Sequence, residues 1–502
     1  MSKLEASSHK DTLVRPKKPR NFVGDVLKLL SGTSIASFIL IISSPILTRY
    51  YGPEAFGFFA LFTSITSLLS IIACFSYESA IILPESDEMA ANILALCVII
   101  NIIFSSCLFI IIGLFSKEIV SLLHIQAFEK YFWLVPVMVF FSGIYMALNY
   151  WNTRTKQFQR LAVTRAASTG VTTGTQITAG YSGYVTGGSL IGAYIIGTFA
   201  SAFVLGAQIF REDKKFLKNS LNREKIVYGF KRYRNFPLYS SFSQFINTLS
   251  WQLPVLLLST FFSPLVVGLY ALGFRVLQFP GYLMGSALAQ VFFQRAAEAR
   301  NENTLSGIVE DVFRVLVSIN LFPFLILLLV GADLFSFIFG PTWTEAGVYI
   351  QILSVWAFIW LLTSPLSSVF DVLEKQAYAL KINILILITR FVSLIIGGML
   401  GNVYIALFLF AGSGIIVYSF LLERIMNFSQ VNYRHIVKIL ADHLLLFLPM
   451  GIILVLAKLV NTRPFIIVIL VMLGLIIYYT YILQREPHLK IIFGQLKNKL
   501  TK

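Results

Sequence analysis

The stretch TFFSPLVVGLYALGFRVLQFPGYLMGSALAQVFFQRAAEAR, from Thr260 to Arg300, is long and apolar enough to cross a membrane. It carries Arg275 well inside the apolar run, and Pro280 follows further along the same run. A charge inside hydrocarbon costs about 2.5–3.5 kcal/mol on insertion scales, so such a residue normally faces a cavity or a partner. We therefore expect Arg275 to line a polar cavity that accepts an anion.

Apolar runs of this length recur along the whole chain. Of its 502 residues, 57% are hydrophobic and 13% are charged, a balance that no soluble domain of this size has. A helix needs about 20 apolar residues to cross roughly 30 Å of hydrocarbon, so the composition predicts an all-α polytopic membrane protein. Fourteen spans are predicted, near residues 23–48, 56–82, 91–115, 131–151, 161–182, 187–210, 237–262, 264–293, 312–339, 346–370, 377–400, 402–422, 439–460 and 464–483.

The basic residues predict the orientation of these spans. The chain has 40 Lys and Arg against 24 Asp and Glu, and most of the cations fall in the N-terminal tail, in segments 152–165 and 211–235 and in the C-terminal tail. Because cytoplasmic loops of membrane proteins carry such an excess, we expect both termini in the cytoplasm. The net charge of +16 is explained in this way, and no nucleic-acid partner is expected.

Motifs of the common enzyme classes are missing from the sequence. There is no GxxxxGK[ST] for ATP, and no HExxH, GxSxG or CxxC, each of which would indicate a particular chemistry. The three cysteines show no spacing that suits a metal site. We therefore expect a transporter rather than an enzyme, without a cofactor or a metal.

An internal repeat divides the chain. The segment RYYGPEAFGFFALFTSI (49–65) aligns at a constant offset with TFFSPLVVGLYALGFRV (260–276), and a second match relates the segments that begin at Tyr131 and Tyr349. The aligned pairs of the first match include Pro53 with Pro264, Gly57 with Gly268, and Ser64 with Arg275.

Two copies of six helices plus a final helix pair account for this repeat. Because six is even, the two copies share one orientation and are related by a pseudo-twofold axis along the membrane normal, an arrangement found in transporters. The predicted divisions are a basic tail (1–22), an N-lobe with helices 1–6 (23–210), a basic linker (211–235), a C-lobe with helices 7–12 (236–424), a C-terminal helix pair (425–484) and a second basic tail (485–502).

Candidate site residues are the polar and charged residues inside or at the ends of the spans. Arg275 and Arg390 lie deepest and are the candidates for an anionic substrate, since the planar guanidinium binds phosphate through two hydrogen bonds. Four charges closer to the membrane surfaces are candidates for ion coupling or gating, or else side chains that simply reach the interface: Lys28, Arg49, Glu78 and Asp371.

The fifth span, LAVTRAASTGVTTGTQITAGYSG, is rich in Thr, Ser and Gly. It has two interpretations. Gly170 and Gly174 form a GxxxG motif that would pack tightly against another helix. Alternatively, the helix lines an aqueous path in which Gln176 contacts the substrate.

Six stretches of the chain, taken in this order, resemble the Wzx-type polysaccharide or O-antigen flippases of the multidrug/oligosaccharidyl-lipid/polysaccharide exporter superfamily. No single stretch is diagnostic, but the ordered set covers nearly the whole chain. The stretches are YYGPEAFGFFALF (50–62), YESAIILPESDEMAANI (77–93), RYRNFPLYSSFSQFINTLSWQLPVLLL (232–258), GLYALGFRVLQFP (268–280), GSALAQVFF (285–293) and GPTWTEAGVYIQIL (340–353).

The resemblance implies a V-shaped fold of two lobes in the bacterial cytoplasmic (inner) membrane. It further implies that undecaprenyl-diphosphate-linked oligosaccharide moves from the cytoplasmic to the outer leaflet, with coupling to a proton or sodium gradient. The expected partners are this substrate, membrane lipids, a polysaccharide polymerase and a chain-length regulator.

Three other functions remain open at this stage. Lipid II flippases are similar in carrying a cavity arginine on the eighth helix followed by a proline, as Arg275 and Pro280 are here. Their further arginines in the first two helices have no equivalent in SIASFILIISSPIL (34–47) and LFTSITSLLSII (61–72). A MATE-like antiporter of cationic drugs would need an acidic cavity, and a membrane glycan polymerase would need a long outer loop that this sequence does not have.

Overall fold

The computed structural model describes residues 22–122, 125–302 and 304–485, with side chains in these ranges except at 22–34, 122, 282–291 and 301. The predicted tails before residue 22 and after residue 485, and the side chain of Lys28, lie outside the described residues. The described part is helical and contains no strand. Its fourteen long helices are α1 (Phe22–Tyr50), α2 (Pro53–Ile72), α3 (Asp87–Leu122), α4 (Val135–Arg154), α5 (Phe158–Tyr181), α6 (Gly187–Ser220), α7 (Phe242–Phe261), α8 (Pro264–Asn301), α9 (Leu305–Ile338), α10 (Thr344–Leu366), α11 (Gln376–Met399), α12 (Val403–Phe428), α13 (Tyr433–Leu459) and α14 (Pro464–Arg485).

Each long helix coincides with one predicted span, and the chain is a multi-pass membrane protein. Within the described ranges, nine helices are long and apolar enough to cross a membrane, or ten if the bent pair Gln126–Phe132 and Val135–Arg154 is one span. Helices α5 and α7 have the length of a span but lack its apolar character. Both helices nevertheless pack within the bundle, α5 on α1 and α6, and α7 on α2 and α11.

The loops divide the bundle into two ends, which we name by their chemistry. The basic end holds the α4–α5 connection and the 221–241 linker between α6 and α7. The short-loop end holds the α1–α2, α7–α8 and α9–α10 connections, which span at most a few residues.

The second predicted span is wrong in one respect. It was expected to run from 56 to 82, but α2 ends at Ile72. The chain then turns through Phe75 and Ser76, both with positive φ, into a separate short helix, Tyr77–Ala80. Hydropathy does not register this break because the turn residues are themselves mostly apolar.

The same packing pattern occurs twice, which defines the two lobes. In the N-lobe α1 packs on α5, α4 packs on α2, α3 and α6, and α5 packs on α6; in the C-lobe the helices six positions later form the same pairs. Corresponding backbone features support the repeat. Both α3 and α9 are kinked, at Phe115 and Val330, and the loops after α5 and α11 each contain a glycine with positive φ, Gly183 and Gly401.

The lobes meet mainly through α2 and α8, near the short-loop end. A Cβ atom added to Gly57 would lie 1.8 Å from the carbonyl oxygen of Pro264, and one added to Gly268 would lie 1.8 Å from that of Pro53. The two contacts are therefore equivalent and are related by the pseudo-twofold axis. Only glycine allows backbones to approach so closely, so the motif that revealed the repeat is also the lobe contact.

The final pair, α13 and α14, packs on α9. Tyr478 stacks on Phe322 with ring centroids 4.1 Å apart, and its hydroxyl donates to the Ser318 carbonyl. The pair also satisfies a backbone group beside the kink of α9, because Lys458 donates to the Leu329 carbonyl at 3.2 Å. The described structure therefore places the pair at the periphery of the C-lobe.

Candidate functional site

A cavity of about 170 Å³ lies at the lobe interface, between α2, α7 and α8. It begins just beyond the glycine contact, on the side toward the basic end. Its wall is mostly apolar and aromatic, with a small set of polar side chains, which is the usual composition of a ligand site. The lining residues are Phe56, Phe59, Ala60, Thr63, Ser64, Gln252, Val255, Tyr270, Ala271, Leu272, Phe274, Arg275 and Gln278.

Arg275 provides the positive charge of this wall. Residues three and four apart share one face of a helix, so α8 presents Ala271, Arg275 and Gln278 to the cavity together. Among the described lining residues there is no carboxylate. The cavity can therefore attract an anion and offer amide groups beside it.

Ser64 lies in the same cavity on α2. Its hydroxyl donates to Gln252 Oε1 on α7 at 2.8 Å, which joins the two lobes across the wall. Ser64 is the residue that aligns with Arg275 in the internal repeat, so equivalent positions of the two lobes face one cavity. One position is neutral and the other is cationic, which makes the site chemically asymmetric.

Arg390 does not line this cavity, although we expected it to line one. It is 4% exposed, within the C-lobe. Its guanidinium donates to the carbonyl and hydroxyl oxygens of Ser250 at 3.0 and 3.2 Å and to the Tyr418 hydroxyl at 2.9 Å. It also lies 4.5 Å from the centre of the Trp251 ring, a favourable cation–π distance. These contacts join α7, α11 and α12.

Gln176 is also buried rather than on the cavity wall. Its side-chain amide donates to the Leu190 carbonyl at 3.4 Å, and its backbone carbonyl accepts a hydrogen bond from the Tyr51 hydroxyl at 2.8 Å. The GxxxG alternative is not supported either, because a Cβ on Gly170 or Gly174 would meet nothing within 4 Å. The fifth span therefore does not pack through this motif.

Glu78 is a buried carboxyl in the short helix that follows α2 at the basic end. It is 2% exposed, and its Oε2 atom has no hydrogen-bond partner. Burial raises the pKa of the Glu78 carboxyl to about 7, because the charged form loses its hydration. The neighbouring Ser76 hydroxyl accepts a hydrogen bond from Ser241, just before α7, at 2.9 Å.

The remaining predicted gating residues lie at opposite ends of the bundle. Arg49 donates to the Phe337 carbonyl at 3.0 Å, and Trp343 donates to the Thr48 carbonyl at 3.2 Å. The first bond links the end of α1 to the last turn of α9 and the second links it to the α9–α10 connection, so both add to the lobe contact at the short-loop end. Asp371, by contrast, is exposed at the basic end.

A sequence profile described as "polysaccharide biosynthesis protein" matches residues 46–348, which is more than half of the chain. The chain belongs to the polysaccharide biosynthesis protein family. The match covers the whole lobe interface, including α2, α7, α8 and the cavity between them. Comparison with curated protein sequences gives no significant match.

Solved structures show that this family member has a known transporter fold. The lipid II flippase MurJ in an inward closed conformation matches with a TM-score of 0.71 at 12% identity, covering 92% of this chain and 99% of that one. A MATE family multidrug transporter in an inward-facing conformation matches with a TM-score of 0.60 at 12% identity, covering 80% and 99% respectively. At this identity the likeness concerns the fold alone.

Sequence reasoning missed part of the cavity wall of this polysaccharide biosynthesis family member. Gln252 and Gln278 were not singled out, although both are polar residues inside predicted spans. Gln278 could have been found, because it follows Arg275 by one helical turn on the same face. Gln252 could not, because its place opposite Ser64 depends on how the lobes dock.

Proposed function

We propose that the protein is a flippase that carries undecaprenyl-diphosphate-linked oligosaccharide from the cytoplasmic to the outer leaflet of the bacterial inner membrane. In this proposal the basic end faces the cytoplasm, with both termini there, because the distribution of Lys and Arg favours that orientation. The product feeds the synthesis of a surface polysaccharide such as O-antigen, with a polymerase and a chain-length regulator acting next.

The observation that carries the proposal is the position of Arg275 on the wall of the lobe-interface cavity. A diphosphate group cannot cross hydrocarbon without hydration or a counter-charge. Arg275 supplies the counter-charge, and Gln252 and Gln278 supply amide groups that suit sugar hydroxyls. The polyprenyl tail remains in lipid while the polar head uses the cavity.

The lobe contact supports a mechanism of alternating access. The glycine contact and the bonds of Arg49 and Trp343 hold the lobes together at the short-loop end, which supports an entrance to the cavity from the basic, cytoplasmic end in this conformation. Rocking of one lobe against the other would break this set of contacts and open the opposite side. Coupling to a proton or sodium gradient is part of the proposal, with Glu78 as the candidate proton carrier.

Arg275→Ala tests this assignment. Losing a hydrogen bond to a charged group costs about 1.5–3 kcal/mol, so transport should fall roughly 10- to 150-fold. Cells that carry the variant should insert the protein normally, accumulate lipid-linked oligosaccharide inside and lack surface glycan. Arg275→Lys, which keeps the charge but not the planar fork, should retain part of the activity.

Arg314→Ala is the matched control. Arg314 also lies on a long helix, but it pairs with Glu310 at 3.2 Å at the basic end, away from the cavity. The pair is partly exposed, and ion pairs near the surface contribute about 0–1 kcal/mol, so surface glycan should stay near the wild-type level. Normal surface glycan in Arg275→Ala, at matched protein levels, would refute the proposal.

Purified protein in vesicles separates the remaining alternatives. A flippase for lipid II would move that lipid in preference to the undecaprenyl-diphosphate oligosaccharide, and a MATE-like antiporter would move cationic drugs. The absence of a carboxylate among the described cavity residues disfavours cations. The α2 wall, with Thr63 and Ser64 rather than arginine, disfavours the more densely cationic site of lipid II flippases.

A further inference from the structure

The linker between α6 and α7 contains an amphipathic helix, Arg223–Arg232, at the basic end. One face packs on the N-lobe. A Cβ on Gly229 would lie 3.1 Å from Met89 of α3, and Lys225 pairs with Glu88 of the same helix at 2.6 Å. The Tyr77 hydroxyl also donates to the Phe230 carbonyl at 3.0 Å. The helix is therefore held in a fixed position on the bundle.

The other face exposes large apolar side chains. These belong to the helix and to the start of the next membrane-spanning segment, and together they form what we call the linker surface. Large apolar groups exposed close together in the chain suit an interaction site with a membrane or another protein. The residues and their exposed fractions are Val227 (45%), Tyr228 (54%), Phe230 (50%), Leu238 (63%), Tyr239 (71%) and Phe242 (65%).

Basic residues flank the linker surface. Arg223, Lys231, Arg232 and Arg234 are all exposed, whereas Glu224 is the one acidic residue of the segment 221–242. Lys and Arg near a membrane surface gain about 1 kcal/mol each from anionic lipids. The charge therefore favours an anionic partner, and the aromatic side chains favour one with an apolar interior.

The position of the linker helix along α3 indicates the depth of the linker surface relative to the lipid-facing residues. Helix α3 exposes isoleucines toward lipid from Ile99 onward, at Ile99, Ile102 and Ile103, whereas Ile93 is buried and contacts the linker helix at Gly229. Six residues of helix separate Ile93 from Ile99, which is about 9 Å at 1.5 Å per residue. Amphipathic helices with aromatic and basic faces bind within this boundary layer.

We propose that the linker surface lies in the headgroup layer of the basic-end leaflet and binds anionic phospholipid. The aromatic and aliphatic side chains insert among the upper acyl chains, and the four exposed cations contact lipid phosphates. The contact does not depend on which substrate the cavity carries. It would anchor the linker, which joins the two lobes, to the membrane.

A probe on the linker surface tests this directly in full-length protein reconstituted into vesicles. The background carries Cys74→Ala, Cys97→Ala and Cys107→Ser, and an environment-sensitive fluorophore is attached at Tyr228→Cys. The vesicles contain either phosphatidylcholine alone or phosphatidylcholine with about one third phosphatidylglycerol. The matched control is Lys215→Cys, an exposed position on the extension of α6.

Bromine on the lipid chains should quench the probe at position 228 at least threefold more than at position 215, and more strongly in the anionic vesicles. Replacing Arg223, Lys231, Arg232 and Arg234 with Gln should remove the dependence on phosphatidylglycerol. Val227→Cys gives a second reporting position if Tyr228→Cys does not fold.

Equal quenching at 228 in the two vesicle types would refute the recognition of anionic lipid. Quenching at 228 by aqueous iodide as strong as at 215 would refute membrane contact.

Discussion

At the scale of single residues, Arg390 is a buried cation whose described partners are neutral. Its donors bond Ser250 and Tyr418, and its plane lies against Trp251, but its Nε atom has no partner. A buried charge without a counter-charge is costly and persists only where hydrogen bonds replace its hydration. We therefore interpret Arg390 as a cross-link between three C-lobe helices.

Replacing Arg390 with Lys should destabilise the protein although it keeps the charge. An ammonium group cannot bond Ser250 and Tyr418 together or stack on Trp251, and losing one such bond costs about 2 kcal/mol. The thermal unfolding midpoint of the detergent-purified variant should be lower than that of the wild type. Arg424→Lys, on the partly exposed ion pair with Glu423, should leave the midpoint unchanged, and a similar decrease there would contradict this interpretation.

Glu78 predicts how stability changes with pH. The carboxyl ordinarily titrates near 4.5, and burial raises its pKa to about 7 in the folded protein. The folded state therefore holds this proton more tightly than the unfolded state, so the stabilisation is complete below about pH 4.5 and is lost as the pH rises through 7. The loss amounts to roughly 3 kcal/mol.

Glu78→Gln should abolish this part of the pH dependence. Unfolding midpoints measured at pH 5 and pH 8 should differ less in the variant than in the wild type. Asp371→Asn is the control, because Asp371 is exposed and should not affect the difference. An unchanged difference in Glu78→Gln would show that the buried carboxyl does not titrate in this range.

At the scale of helices, the contact between α2 and α8 depends on two glycines. A methyl group at Gly268 would overlap the Pro53 carbonyl, and overpacking of this kind costs about 1–3 kcal/mol. Gly268→Ala should push the two helices apart at the short-loop end and shift the protein toward the outward-open state.

Labelling of Thr48→Cys measures this opening. Thr48 is 5% exposed in the closed contact, so a membrane-impermeant maleimide should react several-fold faster when Gly268→Ala is present, in a Cys107→Ser background. Gly174→Ala is the matched control, because its added methyl group would meet nothing within 4 Å. No increase with Gly268→Ala would mean that the glycine contact does not hold this end closed.

At the scale of the whole molecule, two equivalent lobes build one cavity with a single described charge. Ser64 and Arg275 occupy corresponding positions and line the same space. If the substrate requires a positive charge in the cavity, whichever lobe carries it, the arginine can be moved from position 275 on α8 to position 64 on α2. Arg275→Ser alone should lower transport as strongly as Arg275→Ala does, and adding Ser64→Arg should restore at least about half of the wild-type rate.

Vesicle transport of lipid-linked oligosaccharide measures this exchange. Ser64→Arg in the wild-type background controls for the space that the new side chain needs and for the loss of the bond to Gln252. Failure of the exchange, with Ser64→Arg alone still active, would show that the position on α8 matters and not only the charge.

The sequence determined the class of protein, the fourteen helices and the two-lobe repeat. Hydropathy reports which segments leave water, and the duplicated Pro and Gly pattern of 49–65 and 260–276 reports a shared scaffold. Arg275 could also be singled out, because a charge is conspicuous within an apolar run. Each of these signals depends on residues close together in the sequence, so it can be read without knowing how the helices pack.

Only the tertiary structure decided which polar residues meet. Arg390 has the same sequence signature as Arg275, yet it is enclosed by α7, α11 and α12, while Gln176 is bonded to α6. Gln252 reaches the cavity because the lobes dock through Gly57 and Gly268. Hydropathy registers that a side chain is polar, but the direction in which it points follows from the rotation of each helix against its neighbours.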